Sequence, residues 1–429
     1  MLRTPVPTSA PGLATAHPHP QSGKDDRLDY LDATRAFALL LGVVFHSSLS
    51  FVPLFMGWAV QDVSTSPIVT RFITISHSFR MELFFVLAGL FSHMSFHRYG
   101  LRDFIGSRVL RIALPFVVGW FVLRPLVVSG WIMGSASLRG AVDIQAGLVG
   151  GLQSLAQVPG GIFTGSHLWF LYYLGLITMG LVTIREALIR IPTLHTALIQ
   201  TALAGLAGLA RSPFARLILA VPTAATLWFM SGWSMDTPDK SLRPHIPALL
   251  IYGGCFLLGW LLNHQRALIT PFVRLSISRW IEAGVGISVV LLLGEIERDP
   301  AHPYYVTAHV SYSLGYALTM WSLVFLTIGV FKHGCQKPNP VIRYLADSSY
   351  WMYLMHLPIV VWLQVAVADI PMHWTLKLIF VSAVTIAIAL LTYDLFVRST
   401  CVGSLLNGRR RERVIFRVKS AMQPHEEAA

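Results

Sequence analysis

Apolar stretches long enough to cross a lipid bilayer recur along the whole sequence, and this limits the fold more than any other feature. A membrane-spanning helix needs about 20 predominantly apolar residues. Ten such stretches are read: 33–55, 74–96, 106–129, 167–184, 214–234, 246–263, 280–296, 308–331, 349–368 and 376–397. In hydrocarbon each segment must satisfy its own backbone hydrogen bonds, so these stretches become helices. The expected fold class is all-α: a polytopic membrane bundle of about ten transmembrane helices. Residues 196–210 are shorter and rich in Ala and Gly, and are read as an interfacial or re-entrant helix. Only 13% of the 429 residues are charged, against about 25% in soluble domains, which excludes a string of soluble domains.

The basic residues report the expected orientation. With the N-terminus in the cytoplasm, 25 of the 33 Lys and Arg fall on the inner side of the ten spans. That asymmetry obeys the positive-inside rule and predicts cytoplasmic N and C termini. An eleventh span at 196–210 would invert every later loop. The net charge of +12 therefore reflects topology, and nucleic acid is not expected as a partner. Residues 1–26 lack the apolar core of a signal peptide and read as a disordered cytoplasmic tail. The membrane domain is placed at 27–397, and 398–429 form a basic cytoplasmic tail whose Arg409, Arg410, Arg411 and Arg413 suit the membrane surface. The Gly-rich, nearly uncharged stretch 131–166 is expected as an external loop. Three distant cysteines (Cys255, Cys335, Cys401) offer no metal-ligand spacing, and no metal is expected.

Polar residues inside a membrane are costly and usually face the protein interior. Arg35 and His46 are eleven positions apart, three helical turns plus about 20°, so they share one helix face about 16 Å apart along the axis. Asp32 can pair with Arg35 at i, i+3. His46 is either a structural histidine or a reactive imidazole near mid-membrane. Arg108 and Arg111, at the expected cytoplasmic start of the third span, are either topology anchors or an anion site. In the second reading, the free amides and dipole of a helix N-terminus would assist the two guanidinium groups. A phosphate site at the inner face about 16 Å from a buried imidazole matches the outline of coenzyme A.

These residues give the sequence a resemblance. Arg35-x10-His46 with Asp32 before it, the block Phe84-Phe85-Val86-Leu87-Ala88-Gly89-Leu90 and the Arg108-x-x-Arg111 pair resemble the acyltransferase family 3 integral membrane proteins. Ser78-Phe79-Arg80-Met81, His167-Leu-Trp-Phe-Leu-Tyr-Tyr and Tyr350-Trp-Met-Tyr-Leu-Met-His356-Leu-Pro are similar to its glucan-modifying branch. The likeness covers about 27–397. One departure is Ala88-Gly89, where the family commonly has Ser-Gly.

The resemblance implies an O-acyltransferase that uses acyl-CoA as donor substrate, with no permanently bound cofactor. It implies His46 as the catalytic histidine and Arg35, Arg108 and Arg111 at the acyl-CoA site. The acyl group, succinyl or acetyl, would pass from cytoplasmic acyl-CoA to a hydroxyl of a periplasmic glucan or other glycan. His46 would act as general base or carry the acyl group. Five further residues are candidates on the supporting or acceptor side. His167 and Trp169 form either an interfacial aromatic belt or a sugar platform. His356 makes a helix-packing hydrogen bond or serves the site. Glu82 orients His46 or pairs with Arg80, and Asp32 supports Arg35. A transporter or flippase for a glycan or anionic substrate is the rival reading.

Overall fold

A computed structural model describes residues 28–137, 140–156 and 166–415. The expected tail 1–26, the end of the C-terminal tail and part of 131–166 lie outside the described residues. Among those described there is no β-strand, and the fold is an all-α polytopic bundle. In chain order the helices are α1 (Asp29–Ser48), α2 (Pro67–His77), α3 (Arg80–Arg108), α4 (Leu114–Ala136), α5 (Ile144–Gln153), α6 (Trp169–Ile189), α7 (Pro192–Arg211) and α8 (Ala215–Leu227). They continue as α9 (Ile246–His264), α10 (Ile269–Phe272), α11 (Ile277–Leu293), α12 (Tyr305–Gly334), α13 (Pro340–Val367), α14 (Trp374–Thr392) and α15 (Cys401–Asn407).

Nine helical stretches among the described residues are long and apolar enough to cross a membrane. One of them, Pro67–Ala136, contains two full-length helices, α3 and α4. Another, α7, begins and ends at the same end of the bundle. It starts just after α6, whose Arg185 lies 4.4 Å over the Phe96 ring of α3. Its middle, at Gln200, Leu203 and Ala204, lies against His264 and Gln265 at the end of α9. It is followed by Arg216, which pairs with Glu282 at the start of α11 and donates to the Phe272 carbonyl of α10. Residues 196–210 thus belong to a helix along one face of the bundle, longer than expected at 20 residues.

Helix α8 is apolar but has only 13 residues and is not one of the nine long stretches. It runs antiparallel to α12, with Trp321 Nε1 donating to Thr223 at 3.0 Å. Trp228, just past its end, stacks on His309 near the start of α12. The start of α1 and the end of α14 share one end of the bundle, where Arg35 donates to the Ala346 carbonyl and the Tyr344 hydroxyl to that of Leu390.

Two glycines set the tightest helix pair. A Cβ on Gly89 would sit 2.0 Å from the Phe256 carbonyl oxygen, and one on Gly259 2.0 Å from that of Val86. Backbones of α3 and α9 meet at these reciprocal small residues, a packing mode suited to hydrocarbon, where apolar burial alone gives no helix–helix drive.

The stretch 131–166 is not simply an external loop. Helix α4 continues to Ala136, and α5 folds back along it. Gly147 approaches Met133, and Gly151 approaches the Pro125 carbonyl so closely that a Cβ would lie 2.4 Å away. The glycines permit this backbone contact, and a helix lying on a helix explains the lack of charge. The chain re-emerges at Leu168, which packs on Gly119 in α4, so α6 starts well inside the bundle.

Candidate active site

One cavity of about 1800 Å³ runs through the bundle. Asp32, Arg35, Arg108, Arg111, Asp347 and Arg409 line one end of it, where α1 begins. His46, Arg80, His167, Trp169 and His356 line its middle, and Trp58, Trp131, Arg71, Asp239 and Lys240 line the far end. Helix α1 supplies a continuous stripe: Asp32, Arg35, Leu39, Gly42, His46 and Leu49 all face the cavity. Their spacing of three and four is that of one helix face, so Arg35 and His46 share a face as expected.

At the basic end, Arg35 Nη2 donates to the Ala346 carbonyl at 2.7 Å and lies 3.3 Å from Asp32 Oδ1. Arg108 stacks over the Phe104 ring, and its buried Nε has no partner among the described residues. The Tyr350 hydroxyl donates to the Arg111 carbonyl. The Arg111 guanidinium packs on Gly408, whose φ of +77° suits glycine.

The helix N-terminus expected beside this Arg pair is absent. Gly100, at φ 76°, breaks α3, and a helical run then continues from Leu101 through a π-helical turn at Val109–Ala113 into α4. The Val109 amide bonds to the carbonyls of Ile105 and Gly106. The amides around Arg108 are thus taken up within the helix, and the guanidinium groups are the charged donors that line this end among the described residues.

The C-terminal basic segment is folded against the bundle. Arg411 pairs with Asp347, and Asn407 Nδ2 donates to the Asp347 carbonyl at 3.1 Å. The Asp394 carboxylate accepts the amides of Val414 at 2.9 Å and Ile415 at 3.1 Å. This places Arg409 on the cavity wall beside Arg111. A basic run reads alike in sequence whether it faces lipid headgroups or a site, and only these long-range contacts distinguish the two.

Mid-cavity, three imidazoles form a row. The rings of His46 and His356 lie 5.2 Å apart between centroids, and those of His356 and His167 5.5 Å apart. His356 Nδ1 donates to the Tyr353 carbonyl at 2.7 Å and to that of Met352 at 3.1 Å. His167 Nε2 donates to the Leu354 carbonyl at 2.9 Å. His46 stacks on Trp58 at 5.7 Å, and its Nδ1 is buried with no hydrogen-bond partner among the described residues. Trp58 is held by Gln364, which accepts from its Nε1 at 2.8 Å and donates to the carbonyls of His46 and Ser47. Arg80, only 5% exposed, lies 3.9 Å over the Phe45 ring.

Two expected placements change. His167, whose ring neighbours that of His356, and Trp169 are buried because α6 starts inside the bundle, and do not form an interfacial belt. Glu82 does not face the cavity and makes no hydrogen bond or ion pair with His46 or Arg80 among the described residues. Its electrostatic neighbours include Tyr252 and Tyr316, because it points from α3 toward α9 and α12. Trp58 and Arg124 line the cavity without having been singled out, and so do Arg80 and Arg409, which were named for other roles. Arg80 and Arg124 are both buried, which charge alone does not reveal.

His93, His97 and His264 bring three ligand atoms within 4.8 Å of one another. The arrangement suits a cation poorly. Asn263 accepts from Arg266 Nε and donates to His93 Nδ1 at 2.7 Å, which occupies one His93 lone pair.

The fold and cavity define a multi-pass membrane protein with a basic mouth, buried imidazoles midway and a second opening beyond them. The chain belongs to the acyltransferase 3 family, whose acyltransferase domain matches residues 28–394; it is an integral-membrane acyltransferase. It is 26% identical over 400 residues to the glucans biosynthesis protein C of Salmonella schwarzengrund (strain CVM19633), covering 89% of this chain and 94% of that protein. It is 34% identical over 151 residues to the protein of the same name from Escherichia coli (strain K12), a match spanning about a third of each chain (35% and 36%). No solved structure matches.

Proposed function

We propose that this acyltransferase takes an acyl group, acetyl or succinyl, from acyl-CoA on the cytoplasmic side of the inner membrane. The acyl group is esterified to a hydroxyl of a glucan or related glycan on the periplasmic side. The observation that carries this reading is the single cavity joining a cluster of four guanidinium groups to the imidazoles of His46 and His356 and onward to a second opening lined by Trp58, Trp131, Asp239 and Lys240. Arg35, Arg108, Arg111 and Arg409 suit the phosphates of coenzyme A, since guanidinium groups pair well with phosphate oxygens. The flexible arm carries the thioester along the α1 stripe to His46, where transfer occurs. Indole faces and polar groups at the far opening suit a sugar chain. The basic end is cytoplasmic in this reading, in line with the Lys and Arg bias, and both termini lie there. Relatives named for glucan biosynthesis support a glucan acceptor.

The test is acyl transfer by the detergent-purified protein from acetyl-CoA and succinyl-CoA to a β-glucan oligosaccharide, read as ester-linked product by mass spectrometry. Ester formation with release of free CoA thiol is expected. Movement of intact oligosaccharide across proteoliposomes, with no CoA released, would favour a transporter and sink the proposal.

A further inference from the structure

We infer that the two imidazoles in the middle of the cavity divide the reaction: His356 Nε2 takes the acceptor's proton, and His46 Nε2–H donates to the oxyanion of the acyl carbonyl. This rests on the acyl-transfer reading above and assigns roles within it. A carbonyl oxygen only accepts, so the bonds from His356 Nδ1 to Tyr353 and Met352 put the proton of the neutral ring on Nδ1. Nε2 keeps its lone pair, and His356, which lines the cavity, makes its hydrogen bonds among the described residues through Nδ1. A base whose far nitrogen is fixed by an oriented acceptor is the arrangement used by catalytic histidines.

His46 has the opposite pattern. Its Nδ1 is buried and has no hydrogen-bond partner among the described residues. The proton of the neutral ring is placed on Nε2, where it can find an acceptor in the cavity, because a buried N–H at Nδ1 would have none among the described residues. Nε2 is the nitrogen left to face the cavity, 5.2 Å from His356 between ring centroids. One imidazole thus offers a lone pair and its neighbour offers an N–H.

The step balances without any further reagent. The acceptor O–H bond breaks and its proton passes to His356 Nε2, while the oxygen bonds to the thioester carbonyl carbon. The carbonyl oxygen becomes an oxyanion and accepts from His46 Nε2–H. The C–S bond then breaks, and the sulfur leaves with the proton held by His356, giving ester and CoA thiol.

Glutamine separates the roles, because its amide can donate a hydrogen bond but cannot take a proton at neutral pH. The measurement is CoA thiol release with acetyl-CoA or succinyl-CoA and a β-glucan oligosaccharide, per folded protein judged by size-exclusion in detergent, for His46→Ala, His46→Gln, His356→Ala and His356→Gln. Loss of the donor in His46→Ala should cost about 10²–10³-fold, and His46→Gln should recover at least about ten-fold of it. Both variants at 356 should lose about 10²–10⁴-fold, with no recovery by Gln. A purely structural His356 predicts the reverse, since Gln can remake a bond to the Tyr353 carbonyl. Recovery by Gln at 356, or failure of Gln to exceed Ala at 46, overturns the assignment. A wild-type protein that releases no CoA thiol fails the acyl-transfer reading itself, before any variant is compared.

Discussion

Arg111 of the membrane bundle and Gly408 of the C-terminal segment are in direct contact: a Cβ on Gly408 would fall 2.3 Å from Arg111 Nη2. The contact joins the Arg108–Arg111 pair to a segment 297 residues further along the chain. It makes the basic mouth a composite of α1, the α3–α4 turn and the chain after α15. Arg409 enters the cavity wall through this contact, and the segment is held by Arg411 on Asp347 and by the amides of Val414 and Ile415 on Asp394.

The first prediction concerns that mouth. Arg108→Ala, Arg111→Ala and Arg409→Ala should each weaken binding of CoA, since a lost charge-assisted hydrogen bond costs about 1.5–3 kcal/mol, roughly 10- to 150-fold in affinity. Asp394→Ala, which frees the amides of Val414 and Ile415, should weaken CoA binding in the same direction without touching the cavity. Isothermal titration in detergent reads both. Full affinity in Arg409→Ala and Asp394→Ala would leave the C-terminal segment a bystander.

A second prediction addresses the α3–α9 contact. Gly89→Ala or Gly259→Ala would put a methyl 2.0 Å from a backbone carbonyl oxygen of the facing helix. Backbone cannot step aside as a side chain can, so each should cost about 3 kcal/mol, the upper range for overpacking. Gly253→Ala and Gly254→Ala on α9 meet nothing within 4 Å and should be tolerated. Thermal unfolding in detergent distinguishes the two pairs, and equal tolerance at Gly89 would mean the helices can separate freely.

The third prediction concerns a buried ion pair at the opposite end from the basic mouth. Lys377 Nζ lies 2.7 Å from Asp62 Oδ1, with each side chain 1% exposed. Burial pushes the Asp62 carboxyl up from its ordinary value, opposed by hydrogen bonds from Lys377 and the Ser64 amide. Lys377→Met should cost about 3–5 kcal/mol at neutral pH, because it strands a buried carboxylate. An acid whose folded-state pKa is raised is relatively favoured in the fold when protonated, so this cost should shrink as pH falls and Asp62 takes up a proton. Unfolding measured across acid to neutral pH checks the sign; a cost that grows toward acid would contradict it.

Several features were legible in the sequence because each depends on one segment alone. Apolar length makes a helix in lipid whatever its neighbours do, so the all-α class and nearly all the passes follow from hydropathy. Helix periodicity likewise put Asp32, Arg35 and His46 on one face, and α1 lines the cavity with that face. Residues 196–210, read as a short interfacial or re-entrant piece, instead belong to a 20-residue apolar helix, because the helix extends beyond the Ala/Gly-rich stretch at both ends.

Tertiary structure decided what depends on two segments at once. Whether Arg80, Arg124 and Lys377 are surface cations or buried ones depends on what packs over them, and charge counting has no access to that. Glu82 turned away from the site because α9 and α12 flank its face of α3. The supposed helix start at Arg108 vanished because the break falls at one positive-φ glycine, Gly100, eight residues upstream. His356, remote in sequence from His46, reached it only through the packing of α13 on α1. The sequence by itself determined which segments enter the membrane and which residues share a helix face; the fold decided which faces meet, because the costs of burying charge and backbone are settled between helices rather than within them.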